Sequence, residues 1–200
     1  MTRNVTRTIA TITCLVVPGL AFAHLGNDAG LHHGTGFLAG FLHPFTGLDH
    51  LSAMVAVGIW SAMTTRRIWL APIAFASMLG MGAVLGSAGM TLSGVEPMIA
   101  VSLLILGLLV ATRIHLPSLV GAALVGGLAL YHGIAHGTEL AGAASFVAAL
   151  AGMLTGTMLL HMSGIGMGLV LKSGNRWWPR ILGGSVALFG ALLLAGIGTA

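Results

Sequence analysis

Two short runs concentrate four histidines and two carboxylates: His43-Pro44-Phe45-Thr46-Gly47-Leu48-Asp49-His50 and His132-Gly133-Ile134-Ala135-His136-Gly137-Thr138-Glu139. Imidazole nitrogens and carboxylate oxygens together form a borderline ligand set, suited to divalent Ni, Co, Zn or Cu. His132, His136 and Glu139 stand at i, i+4 and i+7, which at about 100° per residue puts all three on one face of a helix. His43 and His50 are also i, i+7, whereas Asp49 points off that face unless the helix is broken. Pro44 and Gly47 favour a break, and irregular backbone at membrane depth is tolerated where it lines a polar cavity.

The elements that position these groups follow from the solvent. Of 200 residues, 56% are hydrophobic and 6% charged, with a mean hydropathy of +1.01; such a chain cannot cover a water-facing surface. It reads as an all-α integral membrane protein. Long continuous apolar runs argue against a barrel of short alternating strands, and the 31 glycines suit helices that approach closely in lipid. An ionisable group kept inside such a helix is costly and points to function.

The amino terminus reads as a cleavable signal peptide at 1–23: Arg3 and Arg7, an apolar stretch Ile9–Leu20, then Ala21-Phe22-Ala23. The single cysteine, Cys14, lies within it, so the mature chain has neither disulfide nor thiolate ligand. Cleavage leaves His24 first in a His-containing extracytoplasmic segment, 24–36. Its α-amine and imidazole, with His32 and His33, offer further metal donors. The competing reading is a tail with no fixed site.

About six spans account for residues 37–200: 37–63, 68–90, 96–113, 117 to the His132–Glu139 region, 141–171 and 181–198. In the fifth, Gly164, Gly166 and Gly168 predict an irregular end. Arg66/Arg67, Arg113 and Lys172/Arg176/Arg180 follow spans one, three and five, so the positive-inside rule puts them all in the cytoplasm and both mature termini outside. His43–His50 and His132–Glu139 then share the outer half of the membrane. Three spans per half would make the halves inverted, although the residues show no clear repeat.

Other polar positions have simpler readings. His161 suits a structural hydrogen bond, His115 a solvated loop, Glu96 a helix start, and Met153, Met158, Met162 and Met167 packing. Trp69, Trp177 and Trp178 suit interfacial anchors. The net charge of +4 belongs to leader and span ends and does not indicate nucleic acid.

His43-Pro44-x-x-Gly47-x-Asp49-His50, continuing as Met54-Val55-Ala56-Val57-Gly58-Ile59-Trp60, together with His132-Gly133-Ile134-Ala135-His136-Gly137-x-Glu139, resembles the HupE/UreJ family over essentially the whole mature chain. Tyr131 stands where that family has Phe. The resemblance implies a secondary nickel permease of the inner membrane, linked to hydrogenase or urease maturation, with the matching His, Asp and Glu positions serving metal uptake. Cobalt or another ion remains open as cargo.

No Gly-Lys pair exists for a phosphate-binding loop, so a permease driven by the membrane potential is favoured over an ATPase. Two other classes stay in view. One is an intramembrane metalloenzyme holding one or two catalytic ions; the other is a maturation partner that binds metal without moving it.

Overall fold

The computed structural model describes residues 36–143 and 145–196. The signal peptide expected at 1–23, and His24, His32 and His33 of the following segment, lie outside the described residues.

Seven helices and no strand occur among the described residues: α1 Phe37–Thr46, α2 Leu48–Thr64, α3 Leu70–Ser87, α4 Val95–Thr112, α5 Ser118–Leu140, α6 Phe146–Ser173 and α7 Trp177–Leu194. The five from α3 to α7 are each long and apolar enough to cross a membrane. Leu38, Leu119, Val147 and Leu188 stand exposed on the outer faces of the bundle, where lipid rather than water satisfies them. The protein is an all-α, multi-pass membrane protein.

The first apolar segment is in two pieces, α1 of 10 residues and α2 of 17. Pro44, inside α1, has no N–H to give and restricts the residue before it. Gly47 then leaves the helix in an extended conformation, φ −92° and ψ 120°. Glycine leaves room for Asp49 and His50 beside the break: a Cβ there would lie 2.8 Å from Asp49 Oδ1 and 2.9 Å from His50 Nδ1, and those side chains would have to shift.

The irregular end expected near Gly164–Gly168 does not occur; α6 continues unbroken for 28 residues. Gly164 and Gly168 instead lie against the backbone of α2 at Val55 and Ile59. In lipid the gain from close backbone packing outweighs the weak helix propensity of glycine.

The helices pair as α2 with α6, α3 with α5, and α4 with α7, while α1 also lies on α6. Two of these pairs repeat the same contacts at constant register. Gly58 meets His161 and Ile165 as Gly133 meets Leu79 and Ala83; Gly164 meets Val55 as Gly82 meets Leu130; Gly168 meets Ile59 as Gly86 meets Ile134. Thus α2 corresponds to α5 and α6 to α3. The α4–α7 pair is its own counterpart, since Gly107 meets Ala187 as Gly183 meets Ala111. These contacts carry a three-plus-three arrangement whose residue identities are largely different.

The basic clusters gather at one end. Arg113 Nη2 donates to the carbonyl of Lys172 at 3.4 Å, and Trp60 Nε1 donates to the carbonyl of Ile114 at 2.9 Å. Arg176 and Arg180 sit over the Trp177 ring at 5.9 and 5.0 Å, the placement of an interfacial anchor. Glu96 is exposed in the first turn of α4 and His115 is exposed in a loop. Met153 is buried in the core whereas Met162 is exposed, so the four methionines do not share one environment.

Candidate metal centre

Three helix segments bring the two motifs together. His43 comes from the last turn of α1, Asp49 and His50 from the first turn of α2, and His132, His136 and Glu139 from the second half of α5. Because α1 stops at Gly47, the His43–His50 run is not one continuous helical face. The chain kinks there while α1 and α2 both run along α6 in the same direction, and the two rings stand 6.4 Å apart between centroids.

The most compact group is His43, His136 and Glu139, each offering a ligand atom within 4.8 Å of the others. His43 Nε2 lies 2.7 Å from His136 Nδ1 and 3.2 Å from Glu139 Oε2, and His136 Nδ1 lies 3.4 Å from the same oxygen. One nitrogen of the imidazole pair donates and the other accepts, so a single proton occupies the space between them. Two nitrogens and a carboxylate oxygen converging there suit a divalent cation taking the place of that proton. His136 is fully buried while the side chain of Glu139 is 57% exposed, so the group runs from the surface into the protein.

Behind it the imidazoles continue. The His50 ring is 4.2 Å from that of His136 and 5.1 Å from that of His132. Their tautomers follow from their partners. His50 Nδ1–H donates to Asp49 Oδ1, a carboxylate acceptor, at 2.8 Å. His132 Nε2 meets Ser102 Oγ at 2.8 Å, and Ser102 already donates to the carbonyl of Ile99 at 2.6 Å. Ser102 therefore accepts, and His132 Nε2 carries the proton. The lone pairs are left on His50 Nε2 and His132 Nδ1, both buried and without a hydrogen-bond partner among the described residues, as is His136 Nε2. Each such atom costs about 1–3 kcal/mol if never satisfied. Metal-ligating histidines characteristically carry their outward N–H on a carboxylate, carbonyl or hydroxyl in this way.

The six intramembrane positions read from the sequence thus converge, with different parts. His43, His136 and Glu139 form the compact group, His50 and His132 extend it, and Asp49 does not join the group but holds His50. Two neighbours had escaped the sequence reading. Ser102 gave no signal because serine in an apolar helix ordinarily bonds its own backbone, and Phe75, whose ring lies 5.8 Å from that of His132, reads as an ordinary core residue.

Comparison with known proteins agrees in scope with both motifs. The family model described as "HupE / UreJ protein" matches residues 12–193. The chain is 43% identical to "Protein HupE" of Rhizobium leguminosarum bv. viciae, an alignment covering 93% of this chain and 96% of that protein. No solved structure matches it.

Proposed function

The chain belongs to the HupE/UreJ family, and on that premise we propose that it is a secondary permease taking up a divalent transition-metal ion, nickel before cobalt, zinc or copper. The inner membrane is its location, both mature termini are extracytoplasmic, and the delivered metal serves hydrogenase or urease maturation. The observation that carries this reading is the convergence of His43, His136 and Glu139, continued inward by imidazoles with fixed, unpaired nitrogens.

The orientation is supported by charge. The Arg66/Arg67, Arg113 and Lys172/Arg176/Arg180 clusters take the cytoplasmic side, so the exposed carboxylate of Glu139 faces the exterior. A divalent cation entering there gains about 4.6 kcal/mol per 100 mV of inside-negative potential, twice the single-charge figure. That gain drives uptake without ATP. His24, with His32 and His33, provides donors for capture at the outer face; one extra residue placed before His24 lowers metal affinity if its amine takes part.

Flux of nickel and cobalt into proteoliposomes under an imposed potential tests the proposal. Uptake that rises with the potential supports it. Stoichiometric metal binding with no flux at any potential rejects the permease and favours the metalloenzyme or the non-transporting maturation partner.

A further inference from the structure

The permease reading uses the outer cluster and leaves one buried histidine outside it. His161, on α6, is fully buried, and its Nδ1 stands 2.8 Å from the carbonyl of Met54. A carbonyl only accepts, so Nδ1 carries the proton and the lone pair lies on Nε2. That nitrogen is buried with no hydrogen-bond partner among the described residues. The expected structural hydrogen bond is present, yet it occupies only half of the ring.

Thr157 lies one turn earlier on α6, on the same face as His161. It too is fully buried, and its Oγ1 has no hydrogen-bond partner among the described residues. Thr64, Thr112 and Thr155 all donate to a carbonyl one turn back in their own helices. Thr157 does not, although its helix offers the same acceptor position. Its hydroxyl is directed elsewhere.

The repeated helix contacts supply an internal control. His161 occupies in the α2–α6 pair the place that Leu79 occupies in the α3–α5 pair, each offering its carbonyl to the facing glycine. One turn earlier, Thr157 corresponds to Phe75. Packing at this position is therefore satisfied by leucine and an aromatic ring. The histidine and threonine add polar atoms that the contact itself does not require.

Depth places His161 beyond the outer cluster, while Thr157, one turn earlier on a helix that runs parallel to α2, lies nearer the end of α1. Met54 follows His50 by one turn of α2, about 6 Å further along the helix. The ring of Phe75 packs against both His132 and His161, at 5.8 and 5.1 Å between centroids. His161 is thus the next imidazole inward, on the far side of one aromatic contact. Transported substrates commonly bind near the middle of the membrane, where two repeats meet.

We infer that His161, with Thr157 one turn nearer the outer face on α6, forms a second station for the transported cation, whose imidazole lies inward of the His50–His132 level. The inference rests on the permease reading. The station offers one imidazole nitrogen and one hydroxyl oxygen, fewer donors than the outer group, which suits an ion held briefly in transit.

The test uses the full-length protein in proteoliposomes, with cobalt as probe for equilibrium binding and both nickel and cobalt for flux. His161→Leu copies the residue at the matched position, so the protein folds and cobalt still binds at the outer cluster. Initial flux falls by at least the roughly tenfold that loss of a metal's supporting partner causes, and Thr157→Val lowers it in the same direction. Should His161→Leu fail to fold, His161→Gln, which keeps an N–H for Met54, carries the same expectation. Wild-type flux in the folded variant overturns the station and leaves the permease reading standing. Absence of flux from the wild-type protein overturns the permease reading instead; in that case one cobalt ion fewer in His161→Leu retains the station as a binding site, and equal stoichiometry removes it.

Discussion

Ser102 fixes the tautomer of His132 because it has no proton left to give: its hydroxyl is committed to the carbonyl of Ile99, so it only accepts from His132 Nε2. The nitrogen with the free lone pair is thereby directed to the opposite side of the ring. Ser102→Ala removes this constraint without adding volume. Nickel uptake in proteoliposomes falls by about 10-fold or more, within the range found for such supporting partners, while the protein still elutes as a single species. Unchanged uptake would show that the orientation of His132 does not matter.

The compact group makes a stronger demand. His136→Ala removes a nitrogen that faces both His43 and Glu139, and His50→Ala and Asp49→Ala remove the next imidazole and its holder. All three abolish metal uptake and leave membrane insertion intact. Isothermal titration with cobalt, alongside a flux assay, checks this; wild-type flux in all three sinks the shared site.

Gly47→Ala tests the break in the first span. Its new methyl meets Asp49 Oδ1 and His50 Nδ1 at 2.8 and 2.9 Å, closer than carbon normally approaches these atoms, so the Asp49–His50 bond must shift. Cobalt affinity falls about 10-fold or more, with a smaller change in thermal stability. A variant with wild-type affinity would show that the outer cluster tolerates movement of His50.

Helix packing gives a contrast between two glycines of α5. A Cβ at Gly133 collides with the backbone of α3 at Leu79 and Gly82, whereas one at Gly127 meets nothing within 4 Å. Gly133→Ala destabilises the protein by about 1–3 kcal/mol through overpacking. Gly127→Ala is neutral or slightly stabilising, because alanine favours the helix by roughly 1 kcal/mol. Thermal unfolding in detergent separates them, and equal midpoints would contradict the close α3–α5 contact.

Acid should oppose metal binding. The imidazoles bind an ion only through unprotonated nitrogens, and the proton shared by His43 and His136 must leave when an ion takes its place. Cobalt affinity therefore weakens as pH is lowered, with protons released on binding in buffers of differing ionisation heat. Affinity independent of pH would exclude an imidazole-based centre.

Much of this arrangement was legible in residue types and spacing. Pro44 and Gly47 announced the break, apolar run lengths placed the helices, and i, i+4, i+7 spacing put His132, His136 and Glu139 on one face. Gly164 and Gly168 misled because glycine weakens a helix in isolation yet allows close approach in a packed pair, and only the facing backbone of α2 decides between them. The repeat was invisible for a related reason: it preserves contacts, while Leu79 is exchanged for His161 and Phe75 for Thr157. Ser102 required knowledge of what faced it across two helices.

The glycine contacts make α1 and α2 with α6, and α3 with α5, two stiff plies in which backbone rests on backbone and little can slide. In the proposed permease, movement that admits or releases an ion would fall on the seam between them. His43, Asp49 and His50 belong to one ply, and His132, His136 and Glu139 to the other, so the His43–His136 bond crosses that seam. A cation held there would act as a staple: while it stayed the plies would be pinned, and when it left they would be free to part.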